Sequence, residues 1–301
     1  YEIKECDWSS DVCSSDLTNT NGTSASSGSS NSVTPAQPPS LGTWSTVSSG
    51  AAWPRSATWV GGTGNGSTLI GIGGFSGAAR YQDQWYGDAI TGWVGGSTRF
   101  PVQSWYAAVT MTDSGNVFTG GGYSGADSNV SYTYYISSIT SSAWTTATNL
   151  PTPRGGNAFA TVGNLQINSG GDNGLTTYYR TGTGSWTTGT DFPNASGSPI
   201  TGARNDYTAS TRMYVLQTGS GSTPFYSTTN GTSWTTETNS PVANTTGSGI
   251  VGYSGTMFAT QGNNGLPTYR YNGSTWASQT SFPELMYSTK AAGIFDNGEI
   301  G

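Results

Sequence analysis

Leu150 to Pro193 reads LPTPRGGNAFATVGNLQINSGGDNGLTTYYRTGTGSWTTGTDFP, and the order of events in it recurs along the chain. A proline step leads into a short β-rich run, a turn at Val162 to Asn164, and a second run that ends in Gly170 and Gly171. A tyrosine-rich run follows, then Trp186, seven residues before the next proline. The same pairing returns at Trp93 with Pro101, Trp144 with Pro151, Trp234 with Pro241 and Trp276 with Pro283, with successive tryptophans 42 to 51 residues apart. A period of this size marks a repeat architecture, in which each repeat is one supersecondary unit stacked on its neighbours.

The turns align as DSGN (Asp113 to Asn116), VGN, ASTR (Ala209 to Arg212), YSG (Tyr253 to Gly255) and DNG (Asp296 to Gly298), several with the Asn, Asp and Gly chemistry of tight hairpins. Runs such as NVFTG, LQINSG, MYVLQTG and TMFATQG read as strands between them. The second run closes on a glycine pattern: GGFSG from Gly73, GGYSG from Gly121 and GGDNG from Gly170, with weaker TGSGS from Thr218 and QGNNG from Gln261. Glycine at these places predicts positive φ or close backbone approach at a strand end.

Residues 1 to 17 (YEIKECDWSSDVCSSDL) share nothing with this pattern, and Asp7 to Leu17 resembles a short-read sequencing adapter translated in one frame. They are set aside as a foreign segment. The chain has a formal charge of −6; without these residues nine basic and eleven acidic groups remain, a net −2. Cys6 and Cys13, the two cysteines, both lie in the foreign segment, and the sequence has no histidine. The usual soft-metal ligands and the commonest general base are therefore missing, and neither a cofactor nor a metal is expected. No basic stripe suits nucleic acid, and no apolar run is long enough for membrane insertion. Residues 18 to 43, rich in Ser, Thr, Asn and Pro, read as a disordered linker. Residues 44 to 301 are expected to form one all-β domain.

Paired glycines after an apolar strand, then Tyr, then Trp, resemble the kelch repeat, and Leu150 to Gly156 resembles its linker between blades. That resemblance implies a β-propeller of four-stranded antiparallel blades, each hiding its faces against its neighbours. Five complete blades are expected, with a truncated sixth from about Ala277, and Gly42 to Val47 with Trp44 serving the last blade as an outer strand. The tryptophans are expected to be core. Kelch-type propellers include oxidases similar to galactose oxidase, whose His, Tyr and Cys requirements this chain does not meet. Ser227 to Trp234 (STTNGTSW) resembles the Asp-box hairpin of sialidases, with Thr229 in place of the defining Asp; an outer hairpin is the simpler reading. The NGSTW step, Asn272 to Trp276, is similar to kelch-like arrays of phage tail proteins.

In such a blade, the loop after the second strand and the crossover to the next blade share one face. The longest of these loops fall in blades one and two, Phe75 to Tyr86 and Tyr123 to Tyr135. They carry Arg80, Tyr81, Trp85, Tyr86, Tyr123, Asp127 and Tyr132, while the crossovers carry Trp53, Arg55, Arg99 and Arg154. Aromatics beside Arg suit sugar faces or a protein surface, and the ligand-binding set expected here is Trp53, Arg55, Arg80, Trp85, Tyr86, Arg99, Tyr123, Asp127 and Arg154. Acidic residues such as Asp113, Asp172 and Asp296 read as turn residues, so no catalytic residue is assigned. The sequons at Asn65, Asn129, Asn230 and Asn272, among others, are expected from composition alone. The function expected is non-catalytic adhesion to glycan or surface protein, outside a cell or on a virion. The alternatives are a fragment of a secreted carbohydrate-active enzyme and a structural phage protein. Oligomeric state is left open.

Overall fold

The computed structural model describes residues 18–19, 22–23, 60–77, 79–88, 92–95, 100–124, 128–141, 143–172, 174–193, 200–204, 206, 209–217, 223–242, 249–260 and 267–281. The chain divides into a unit of residues Tyr1–Gln37 and a unit of residues Pro38–Gly301. In the first, β1 (Thr18–Asn19) pairs with β2 (Gly22–Thr23), a two-rung hairpin within the expected linker.

The second unit is all-β. Blade one consists of β3 (Gly61–Gly64), β4 (Leu69–Ile72), β5 (Gln84–Asp88) and β6 (Gly92–Gly95). A short β7 (Ser104–Trp105) lies in the crossover. Blade two has β8 (Val109–Met111) and β9 (Val117–Gly120), then, after a loop holding β10 (Tyr123–Ser124), β11 (Thr133–Ile136) and β12 (Thr145–Thr146). Blade three is β13 (Ala158–Val162), β14 (Leu165–Ser169), β15 (Thr177–Thr181) and β16 (Thr187–Thr188). Blade four is β17 (Ile200–Arg204), β18 (Met213–Gln217), β19 (Phe225–Thr228) and β20 (Thr235–Thr236). Blade five is β21 (Gly249–Tyr253), β22 (Thr256–Thr260), β23 (Thr268–Tyr271) and β24 (Trp276–Gln279). Each blade is a four-stranded antiparallel meander, and the first strands lie side by side in the order β3, β8, β13, β17, β21. This is a five-bladed β-propeller arrangement.

Burial follows the meander outward. Every residue of β18 and β22 is buried, whereas both threonines of β12, β16 and β20 are exposed. A central strand covered on both faces needs no polar alternation, which is why MYVLQ and TMFAT alternate so weakly. Aliphatic and aromatic side chains fill three of the gaps between blades. Ile70, Ile72 and Phe100 meet Met111, Val117 and Ile136. Ile167 and Phe192 meet Met213, Val215 and Tyr226. Leu216 and Phe225 meet Met257 and Tyr271. Between blades two and three the filler is a cation: Arg180, 3% exposed, lies over Trp186 at 4.1 Å and Phe118 at 5.8 Å. Burial pushes its pKa down to about 10.

The tryptophans border these cores and do not fill them: Trp144, Trp234 and Trp276 pack against the clusters while only half-buried. Trp144, Trp186, Trp234 and Trp276 are half-buried at the start of the outermost strands. Each reaches back to the blade before it. The indole Nε1 of Trp186 donates to the Thr148 carbonyl at 3.0 Å, that of Trp234 to Thr190 at 3.1 Å, and that of Trp276 to Thr238 at 2.9 Å. Each accepting threonine stands four residues after the preceding tryptophan. The threonine answers in kind: Thr148 N donates to Thr183 O at 3.3 Å, Thr190 N to Gly231 O at 3.1 Å, and Thr238 Oγ1 to Ser274 O at 2.6 Å. For Trp144 the buried side-chain amide of Gln84 takes the carbonyl's place, with Oε1 accepting at 2.7 Å.

Where an aromatic residue precedes the proline, it lies against the indole. Phe100 meets Trp144 edge-on at 5.2 Å, and Phe192 meets Trp234 at 5.2 Å. Where Ser240 replaces the aromatic, Phe225 from β19 supplies the ring against Trp276 at 5.0 Å. Framing the repeat on the tryptophan cuts through the last strand. The expected boundary near Ala277 is therefore corrected, because Trp276–Gln279 is the outer strand of blade five. Residues 282–301, on which the sixth blade was expected, and Gly42 to Val47 lie outside the described residues. Among the described residues no helix is long and apolar enough to cross a membrane.

Trp186→Phe keeps the ring and loses the hydrogen bond to Thr148, and should cost about 1 kcal/mol in urea denaturation. Trp186→Ala should cost about 2 to 3 kcal/mol, below the range for a fully buried ring because the indole is only half-buried. No loss in Trp186→Phe would show that the hydrogen bond contributes nothing, and equal losses in the two variants that the ring contributes nothing beyond it.

Candidate functional site

The loop face is organised by the glycine doublets. Both members hold positive φ in the first three blades: 66° and 111° at Gly73 and Gly74, 79° and 112° at Gly121 and Gly122, 62° and 103° at Gly170 and Gly171. A side chain at the second glycine of blades two and three would collide with the crossover that enters its own blade, Gly122 with the Ala107 Cα at 3.0 Å and Gly171 with the Gly155 carbonyl at 2.7 Å. Without that side chain the backbones bond directly. Gly74 N donates to Ser104 O at 2.9 Å, Gly122 N to Arg154 O at 2.7 Å, and Asp172 N to Gly155 O at 3.0 Å.

The residue immediately after each doublet is thereby delivered to the same height on the face. These residues are Phe75, Tyr123 and Asp172. Trp105, on β7 of the crossover, enters between them. Phe75 and Trp105 stack at 5.7 Å with 30° between planes, and Trp105 and Tyr123 at 4.5 Å with 20°. Arg80 pairs across its loop with Phe75 and sits over that ring at 5.3 Å. At the other end the Tyr123 hydroxyl donates to Asp172 Oδ2. One row therefore crosses three blades, from Arg80 through three stacked rings to an exposed carboxylate.

Two local features hold the row. Tyr106 has φ 54°, a left-handed conformation that costs a non-glycine residue energy and persists where the surroundings impose it. Neighbouring side chains on an extended strand point to opposite sides, yet this kink lets Trp105 and Tyr106 both meet Tyr123, at 4.5 and 5.9 Å. Gly155 leaves the space that Tyr123 occupies, since a Cβ there would lie 2.3 Å from the Tyr123 Cζ. Burial first, and then the hydrogen bond and charge of Asp172, raise the Tyr123 pKa well above its ordinary value.

The expected site residues divide sharply. Arg80 and Tyr123 belong to the row. Arg154 stands in the crossover as expected but is 1% exposed, with Nη1 donating to Gly170 O at 2.7 Å and its guanidinium over Tyr178 at 4.7 Å. It braces blade three. Trp85 and Tyr86 lie on β5 and not in a loop. Tyr86 packs into the core between blades one and two. Trp85 is paired with Gly71 and Gly95, and the missing side chain of Gly95 makes room for its ring. Trp53, Arg55, Arg99 and Asp127 lie outside the described residues. Tyr132, 43% exposed, is on the loop face beside Tyr134.

Phe75, Trp105 and Asp172 were not selected from the sequence. Asp172 read as a turn residue, but its side chain serves Tyr123. The signal that would have found two of them is their shared position after GG. Asp113 also does more than shape its turn: it pairs with Arg204 and accepts from Ser210 N at 3.3 Å. Ser210 Oγ in turn donates to Thr161 O at 2.8 Å, so the first turns of blades two, three and four are tied together on the opposite face. Asn65, Asn230 and Asn272 each accept two backbone N–H groups through Oδ1, at 2.8 to 3.2 Å. Turn geometry accounts for these three sequons. Ser227 to Trp234 is the end of β19 and its hairpin to β20.

Among the described residues no three His, Cys, Asp or Glu side chains gather as a metal site. Comparison with protein families and with curated proteins gives no match.

Because Tyr123 ionises at higher pH in the folded chain than its ordinary value of 10.0, the stability it contributes is present below about pH 10. It is lost as pH rises toward the folded value. Tyr123→Phe should flatten the fall in unfolding midpoint above about pH 10 relative to the parent chain. Parallel curves would show that this phenol is not linked to folding. Gly122→Ala should cost about 1 to 3 kcal/mol, from its φ alone, measured by thermal unfolding.

Proposed function

We propose that the chain is a non-catalytic binding module, a kelch-like propeller that recognises glycan or protein through its loop face. The observation that carries this reading is the row itself, in which three successive blades contribute to one contiguous surface from Arg80 to Asp172. Function on a repeat fold commonly resides in such loops, positioned by a rigid scaffold. The chemistry of the row favours holding over reacting. Its phenol is shifted away from ionisation, the reverse of what a nucleophile or base requires, and its carboxylate is hydrogen-bonded to that phenol. The low lysine content and the Ser, Thr, Asn and Pro-rich segment before the propeller suit display outside a cell or on a virion.

Glycan and protein arrays with the full chain, run beside hydrolysis and oxidation assays, test the reading. Saturable binding that Trp105→Ala weakens at least about tenfold, about 1.4 kcal/mol, is the expected result. Turnover of any sugar would replace it with the carbohydrate-active alternative. No saturable ligand would favour a structural role.

A further inference from the structure

The row does not offer what a neutral sugar ring needs. A pyranose binds an aromatic residue by laying its C–H face on an open ring face, but these faces are engaged within the protein. Trp105 carries both Phe75 and Tyr123 stacked on it, Arg80 sits over Phe75, and the Gly155 backbone lies against Tyr123. The half-buried rings present edges to the outside. The exposed polar group at the blade-three end is Asp172, and it is fixed in place by two bonds: its N–H donates to Gly155 O at 3.0 Å, and Oδ2 accepts the Tyr123 hydroxyl. Among the described residues Oδ1 accepts no hydrogen bond.

We infer that this end of the row takes a cationic side chain, an arginine or lysine of a protein partner, with its charge at Asp172 Oδ1 and its stem along the edges of Tyr123 and Trp105. The inference rests on the loop-face reading above and narrows it. A single preorganised carboxylate favours a charged donor, because a charge-assisted hydrogen bond is roughly twice as strong as a neutral one. Long cationic side chains cover apolar surface with their stems while the head stays polar. The net charge of −2 on the chain without residues 1 to 17 also slightly favours cations over anions. Tyr123 holds its proton, so it remains a donor to Oδ2 and leaves Oδ1 outward.

The test uses the full chain with four probes: hexa-arginine, hexa-lysine, hexa-glutamate and a neutral oligosaccharide, followed by titration calorimetry. The basic peptides should bind and weaken with rising salt. Asp172→Asn keeps an acceptor for Tyr123 and should leave the unfolding midpoint in place, while weakening those peptides about tenfold or more. Basic-peptide binding unchanged in Asp172→Asn would overturn the inference, since attraction would then come from the surface at large. A neutral oligosaccharide that binds without salt dependence, responds to Trp105→Ala and ignores Asp172→Asn would also overturn it, yet leave loop-face binding standing. Saturable binding that responds to neither variant would remove both readings.

Discussion

The arrangement of blades depends on a reciprocal clasp at the outer rim. One blade offers the carbonyl and the N–H or hydroxyl of a threonine. The next returns an indole N–H and a turn carbonyl, as in Thr190 with Trp234 and Gly231. A blade's own ladder hydrogen bonds run within its sheet and do not choose a neighbour. Apolar packing between sheets draws blades together but is non-directional. The clasp adds direction, because an indole N–H finds its acceptor in one register alone. Each bond is worth only about 1 kcal/mol, so its effect lies in repetition and in selecting one orientation.

The inner margin is set by a different constraint. Glycine doublets let the backbone at the end of the second strand in blades one to three bond to a neighbouring crossover without an intervening side chain. They fix the height at which the next residue leaves the scaffold, which places Phe75, Tyr123 and Asp172 in a row. The binding surface is thus a by-product of the packing rule. Every blade must turn at that point to reach its third strand, and the residue after the turn is free to vary. In blades one to three it varies from phenylalanine to tyrosine to aspartate, and the row acquires its polarity.

Much of this was legible in the chain. The turns Asp113 to Asn116, Val162 to Asn164 and Tyr253 to Gly255 fall between the first and second strands, and the doublets fall at second-strand ends, because turn and glycine chemistry is local. The strand at Trp276 was split by sequence framing, since Ala-Ser after that tryptophan carries no strand signal of its own. Trp85 and Tyr86 illustrate a different limit. In sequence they belong to an aromatic insertion; in space the ladder continues through them, and one ring faces the core while the other lies against Gly95.

What the sequence by itself determined was the repeat, its count of five tryptophan steps, the positions of its turns and the need for glycine where backbones meet. These follow from period and from φ preferences, which act within a few residues. What only the tertiary structure decided was partnership across blades: that Trp186 answers Thr148, that Arg154 is buried while Arg80 caps a ring, and that Tyr123 reaches Asp172. Those pairs stand 38 and 49 residues apart for the tryptophan and the tyrosine. No local preference encodes such a distance; it is closed by the stacking of whole sheets, and only then do the side chains find what they touch.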